Sequence, residues 1–341
     1  MRFSPRIGLI GAGIIAESRV PALRTAGFHI DAVAARARSP HVGSLAARHD
    51  IALALPDWRA MLDYASRLDA FVVSTWPDGT PEILEELIPL GLPILVEKPV
   101  AWNTVTLGRL CEKPHCNVIV GYNRRHYHSV QQARCEVQKG GPVLAQLTLP
   151  TDVTAPDEPA PDGRYMQQFY ESVSALGLDL TRYVLGDLHV ESVSRLNNSA
   201  GNRVALSAIC TTPRGDVLQI SCPWGAPANY ELSFARRGFR FELRPFEIGT
   251  AYEGMDVEPP SDEYPIRRYT PRVQRRFLLE GQDLERKPGF VSESMVLRAM
   301  CDGVPAPNFV ATLEDALEVT RLCEKLTGVQ LGDTNPSTYH H

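Results

Sequence analysis

Two short stretches near the start of the chain carry residue types whose spacing does chemistry. In Gly8-Leu9-Ile10-Gly11-Ala12-Gly13-Ile14-Ile15-Ala16 a strand-like run, a glycine turn and a helix start follow one another directly. This is the GxGxxA form of a pyrophosphate-binding turn. Gly11 permits the tight turn, Gly13 lets the backbone approach a phosphate, and Ala16 is small enough for the helix to pack on the strand. The helix opening at Ile14 and Ile15 then offers unpaired N–H groups and the positive end of a dipole to the anion. About 20 residues on, such a unit holds an Asp or Glu when it grips the ribose 2′-hydroxyl of NAD. The sequence there is Val33-Ala34-Ala35-Arg36-Ala37-Arg38-Ser39, without a carboxylate. Two guanidinium groups and the Ser39 hydroxyl stand where a 2′-phosphate would lie. Arg pairs bidentately with phosphate, so NADP(H) is expected over NAD(H), with NAD(H) still possible. The plainer alternative is that Arg36 and Arg38 are solvated loop charges.

The elements that position these residues follow from periodicity. The first 121 residues alternate short β-branched runs with helical patterns, the signature of a parallel sheet covered by helices. Strands are expected at Arg6 to Ile10, Phe28 to Ala35, Ile51 to Leu53, Ala70 to Ser74, Pro93 to Val96 and Asn117 to Val120. Six strands with helices between them form a doubly wound dinucleotide-binding domain. After Gly121 the character changes: a helix from Ser129 to Lys139, a Pro-rich loop, a helix from Tyr165 to Leu185, then several strands in succession. The spacing of Phe169, Val173, Leu176, Leu180 and Val184 predicts one buried stripe on that second helix. A polar loop is expected over 252–288, then closing helices at Ser292 to Cys301 and Leu313 to Leu326. The fold class is therefore α/β: a Rossmann NADP-binding domain over 1–121, and over 122–330 an α+β substrate-binding and dimerisation domain with a large, mostly antiparallel open sheet. The last helix is free to pack back on the first domain.

A further stretch, Leu95-Val96-Glu97-Lys98-Pro99-Val100-Ala101, stands at the C-terminal end of the fifth strand, the edge where ligands bind in such sheets. With the glycine motif and the Ser74-Thr75-Trp76-Pro77 loop, Glu97-Lys98-Pro99 makes the chain resemble the Gfo/Idh/MocA family, relatives of glucose-fructose oxidoreductase and inositol dehydrogenase. The resemblance covers nearly the whole chain, including Val120-Gly121-Tyr122-Asn123-Arg124-Arg125 and the Leu313 to Leu326 helix. It implies cofactor contacts from Ser74, Thr75, Trp76, Glu97, Lys98, Pro99 and Asn123. It also implies that Lys98 sits beside the nicotinamide and the reacting oxygen, where an ammonium would polarise a carbonyl or stabilise a developing alkoxide.

The same family carries a DxxxHxxD pattern on a helix of the second domain. Counted from Asp179, the histidine position is Leu176 and the upstream acid is Ser172, so both usual proton-transfer groups are missing. Leu176 belongs to the apolar stripe and reads as a packing residue. Alcohol oxidation needs a base poised near neutral pH, which leaves carbonyl reduction as the favoured direction. Gln168 and Tyr165 lie upstream on the same face, and Tyr165 with Lys98 is the preferred pair for delivering a proton, with Asp179 as the retained acid. Tyr122, His126 and His128 are rivals. Arg267, Arg268, Arg272, Arg275 and Arg276 crowd one segment and read as an anion clamp, a solvated face or an arm to a neighbouring subunit.

Composition narrows the field. With 35 Lys and Arg against 40 Asp and Glu the formal charge is −5, the wrong sign for coating nucleic acid or an anionic membrane. No apolar run approaches the ~20 residues of a spanning helix, and no signal segment opens the chain, so a cytoplasmic location is expected. The seven Cys are scattered without a CxxC, and no metal site is expected. The reading is an NADP(H)-dependent oxidoreductase reducing a carbonyl on a sugar or nucleotide-sugar derivative, assembled as a homodimer or homotetramer. Imine reduction and a non-catalytic NADP(H)-binding sensor are the alternatives.

Overall fold

A computed structural model describes residues 4–37, 39–114, 117–151, 173–199 and 203–330. They fall into two compact units, one built from the residues up to His126 and from Glu280 onwards, the other mainly from 127–151 and 176–279.

The first unit holds β1 (Arg6–Ile10), β2 (His29–Ala34), β3 (Leu53–Ala54), β4 (Ala70–Val73), β5 (Ile94–Val96) and β6 (Val118–Val120). All pair in parallel, in the order β3-β2-β1-β4-β5-β6. Helices α1 (Ile14–Thr25), α2 (His41–Arg48), α3 (Arg59–Tyr64), α4 (Thr80–Leu87) and α5 (Thr104–Cys111) alternate with them. Strands covered on both faces need apolar residues at every position, which is why β4 reads Ala-Phe-Val-Val and is buried throughout. The strand order reverses between β1 and β4, and in open sheets ligands bind at that switch point, outside the carboxyl ends of the strands.

The second unit begins with α6 (His128–Lys139) and β7 (Leu144–Thr148), followed after the undescribed segment by α7 (Val173–Leu185). Then come β8 (His189–Asn197), β9 (Arg203–Thr211), β10 (Val217–Pro223), β11 (Glu231–Arg236), β12 (Phe239–Leu243), β13 (Gly249–Glu258) and β14 (Arg268–Phe277). They form one eight-stranded sheet, β14-β13-β12-β11-β7-β10-β9-β8, antiparallel except where β7 meets β10. Alternation sorts its two faces: Ala145, Leu147, Leu218 and Ile220 are buried, while Leu144, Gln146, Val217 and Gln219 between them are exposed.

Two expectations are corrected here. The segment over 252–288 is not a single loop, because β13 and β14 pair across its 252–258 and 268–277 stretches, with Met255 opposite Pro271 and Val257 opposite Tyr269. Nor does α7 bury one stripe only. From Ser174 to Leu185 every residue but Arg182 is buried, and a Cβ on Gly177 would stand 2.5 Å from Leu149 Cδ2. Phe169 of the predicted stripe lies outside the described residues.

The chain then returns to the first unit through α8 (Gln282–Glu285), α9 (Phe290–Cys301) and α10 (Leu313–Thr327). Leu297 of α9 shares a core with Leu9, Val20, Val72 and Ile119. α10 opens with a capping box between Thr312 and Asp315. Just before it, the Ala311 carbonyl accepts the Val120 N–H at 2.8 Å, extending the sheet edge.

Candidate functional site

The switch point is built from glycine. Gly11 has φ +122° and a Cβ there would stand 2.2 Å from the Ser74 carbonyl oxygen, so no other residue fits between β1 and β4. The turn is pinned from both neighbours: Gly11 N–H donates to Ala34 O and Ser74 N–H to Ile10 O, each at 2.7 Å. Gly13 is the cap position of α1, and a Cβ built on it meets nothing within 4 Å. No side chain caps the helix, and Ile14 at its first position is 86% exposed. The first-turn N–H groups of α1 thus open onto free space, the arrangement that receives a pyrophosphate. Ile15 packs instead on Ala22, Phe290 and Val291.

Around this turn, Ser74 Oγ is buried without a hydrogen-bond partner among the described residues. A buried unpaired hydroxyl beside the opening is a polar group waiting for a ligand. Thr75 Oγ1 pairs with Thr80 Oγ1 at 2.8 Å, and Trp76 is 56% exposed. At the end of β2, Arg36 is exposed and the Ser39 N–H donates to its carbonyl at 3.1 Å, closing a turn. Ser39 is half-buried, and Arg38 lies outside the described residues.

The end of β5 is arranged differently from what its sequence suggests. Glu97 is buried, and its Oε1 accepts the Arg19 Nε–H at 2.6 Å. Arg19 is fully buried in α1; its Nη1 donates to Glu293 Oε2 of α9, and its guanidinium carbon lies 3.6 Å from the Phe290 ring centroid. Glu97 therefore serves Arg19 through its carboxylate. Asn123 likewise is buried, with its amide donating to Pro288 O at 2.8 Å. Lys98 and Pro99 are half-buried and joined by a cis peptide bond.

Electrostatics in this region are set by burial. It raises Glu293 to about 7, against the pull of Arg19, with Glu97 adding to the rise. Burial also lowers His126 to about 3, helped by Arg19 and Arg125. His126 Nδ1 lies 2.8 Å from Ser292 Oγ and its ring sits edge-on to Phe309. A neutral, enclosed imidazole of this kind holds structure at ordinary pH.

In the second unit Asp179 and Leu176 are both buried on α7. Tyr165, Gln168 and Ser172 lie outside the described residues. The arginine segment is the strand β14, where Arg268 pairs with Glu258, Arg272 Nε meets Asp256 Oδ1 at 2.7 Å, and Arg275 lies over the Phe277 ring. Cross-strand pairing already employs two of those guanidinium groups.

Arg19 and Glu293 are the residues that sequence reasoning passed over. The signal for Arg19 was present: it falls three residues after Ala16 and four before Leu23, on the buried stripe of α1. A guanidinium on such a stripe requires buried carboxylates.

A parallel sheet in this order, with a glycine turn at its switch point and an open helix N-terminus beyond it, defines a dinucleotide-binding protein of the Rossmann class. Residues 5–122 match the Gfo/Idh/MocA family model, described as an oxidoreductase family with an NAD-binding Rossmann fold. The chain is thus an NAD(P)-dependent oxidoreductase. It is similar to the inositol 2-dehydrogenase of Rhizobium meliloti (strain 1021), 24% identical over 231 residues, which are 61% of this chain and 68% of that protein. Among solved structures it resembles levoglucosan dehydrogenase in complex with NADH and levoglucosan, at TM-score 0.74 and 14% identity over 96% of both chains. It also resembles the UDP-N-acetylglucosamine 3-dehydrogenase of Acidithiobacillus ferrooxidans, at TM-score 0.68 and 16% identity over 95% of this chain and 97% of that one. These two likenesses concern the fold.

Proposed function

We propose that the protein is an NADP(H)-dependent reductase of a carbonyl on a sugar or nucleotide-sugar derivative. The observation that carries the cofactor choice is the end of β2, which offers the exposed Arg36 guanidinium, Ser39 and the Arg38 of the sequence but no carboxylate. The Gly11–Gly13 turn and the uncapped N-terminus of α1 hold the pyrophosphate, with Ser74, Thr75 and Trp76 along its path. The bound nicotinamide supplies a hydride. Lys98 places a cation at the reacting oxygen and stabilises the charge that develops there. Tyr165 gives that oxygen its proton, with Asp179 as the retained acid of the family pattern. The substrate class is supported by the relatives, whose names are those of sugar or sugar-alcohol dehydrogenases.

Transfer of deuterium from 4-deuterated NADPH to a panel of keto-sugars and nucleotide-linked keto-sugars tests the reaction. Deuterium should appear at a carbinol carbon of one of them. Tight NADPH binding with no transfer to any member would count against a reductase of this class.

The apolar residues Leu144, Leu196, Ile209 and Val217 are exposed on the second unit's sheet. An exposed patch of this kind suits a self-complementary interface. We place the chain in a homodimer or homotetramer built through that face, in the cytoplasm. Light scattering at micromolar concentration should give at least twice the monomer mass, and Leu144→Arg should lower it.

A further inference from the structure

We propose that Glu293, acting through Arg19 and Glu97, is a positioning residue for Lys98. The inference rests on the reading of Lys98 as the residue beside the reacting oxygen and adds a group that sets its place and charge environment.

The argument begins with Arg19. It is fully buried, so neither water nor a surface counterion can satisfy it. Two carboxylates fix it instead, Glu97 at Nε and Glu293 at Nη1. The Phe290 ring lies 3.6 Å from the guanidinium carbon. A Cβ on Gly121 would stand 2.9 Å from Arg19 Nη2 and 3.1 Å from Glu97 Oε2, so the guanidinium and the Glu97 carboxylate are held close against that backbone. Glu97 in turn is fixed by its own N–H, which donates to Val73 O at 2.8 Å, and Lys98 is the next residue. Any displacement of Arg19 is therefore passed to the backbone from which Lys98 projects.

Glu293 is the member of this chain that can change state. Arg19 offers one positive charge to two carboxylates, which balances only one of them. Arg19 Nη2 and Glu293 Oε1 are buried and unpaired among the described residues, so the pair is not a closed fork and Glu293 keeps a free oxygen for a proton. The charged groups around it are Arg19 on α1, Glu97 after β5 and Lys287 just before α9. Arg124 acts on Lys287, and His126, in the turn after β6, feels the charges of both Arg19 and Arg125. When Glu293 takes a proton, the full charge of Arg19 is left to Glu97. When it ionises, the two carboxylates share that charge, and the field at Lys98 becomes more negative. Glu293 lies near about 7, so both states are populated around neutral pH.

Reductive methylation with 13C-formaldehyde labels the Lys98 ammonium without substrate or turnover. Its NMR signal is assigned by its loss in Lys98→Arg. Followed from about pH 6 to about pH 8, on either side of the Glu293 midpoint, the Lys98 signal should shift with a single step in the wild type. In Glu293→Gln, which keeps the shape and an acceptor for Arg19, the step should vanish, while the exposed Lys139 signal is the same in both. Superimposable Lys98 curves for the two proteins overturn the proposal. Should Glu293→Gln fail to fold, the wild-type curve decides alone: a step supports the relay and a flat line rejects it. NADPH titrated into the same samples reads the cofactor reading separately, since absent binding counts against that reading and leaves the relay standing.

Discussion

Arg19 and Glu97 are 78 positions apart, yet the Nε–H of one meets the Oε1 of the other at 2.6 Å in the core of the first unit. The pair ties the helix that opens at the glycine turn to the segment after β5 that carries Lys98. Removing the cation leaves Glu97 and Glu293 facing each other without a counter-charge. Arg19→Met is expected to lower the unfolding free energy of the first unit by about 3–5 kcal/mol, the cost of stripping one partner from a buried ion pair. Adding Glu293→Gln to it should restore part of the loss, because one uncompensated charge disappears. Urea denaturation of the three proteins measures this, and a double variant no more stable than Arg19→Met alone would contradict it.

The pH dependence of stability has two opposed limbs. His126 lies at about 3 in the fold against an ordinary 6.5, so between those values the unfolded chain binds a proton that the fold refuses. Its contribution is intact above about 6.5 and is lost as pH falls. Glu293 lies at about 7 against an ordinary 4.5, so there the fold binds a proton that the unfolded chain has released. That stabilisation is full below about 4.5 and is lost as pH rises to about 7. Denaturation midpoints across pH should show a flatter acid limb in His126→Gln and a flatter neutral limb in Glu293→Gln. Unchanged slopes in both would remove these two groups as the cause.

Much of this architecture is written locally. Gly11, Gly13 and the all-apolar β4 announce a buried parallel strand and a phosphate turn within a few residues, because tight turns and two-sided burial restrict residue type position by position. The β13–β14 hairpin was harder to see. Met255 and Val257 alternate with Asp256 and Glu258, and Tyr269, Pro271 and Val273 alternate with Thr270 and Arg272, which is a strand period. Charges and prolines dilute it, and a sequence rich in both resembles a loop. The role of Glu97 was not legible in the sequence, because it is set by Arg19 and, through it, by Glu293, which lies 274 positions beyond Arg19. A carboxylate in a Glu-Lys-Pro turn at a strand end reads as a ligand contact, and the guanidinium that pairs with it lies far off in sequence.

Cofactor selectivity should follow Arg36. Its guanidinium is exposed at the end of β2, where a 2′-phosphate would meet it, and the stretch 33–39 carries no acidic residue to repel one. NADPH is expected to bind at least tenfold tighter than NADH, about 1.4 kcal/mol. Arg36→Ala should narrow that gap by weakening NADPH alone, and raising the salt concentration should act in the same direction. Fluorescence titration of both nucleotides with both proteins tests this. Equal wild-type affinities would reject the preference, and a parallel loss for both nucleotides would place Arg36 away from the 2′ position.

Lys98→Met separates binding from chemistry. Methionine roughly keeps the shape of the lysine stem and removes its charge. If the ammonium stabilises the reacting oxygen, turnover should fall by about 2.7–4 kcal/mol, the loss typical of one preorganised donor. NADPH affinity should change little, because the proposed pyrophosphate contacts come from Gly13 and the first turn of α1, which follow β1, whereas Lys98 follows β5. The diagnostic result is thus a drop in kcat with an unchanged nucleotide Kd. A drop in nucleotide affinity of the same size as the drop in turnover would instead make Lys98 a cofactor-holding residue. Full activity in Lys98→Met would move the electrostatic role elsewhere and leave the proton to Tyr165 or to solvent.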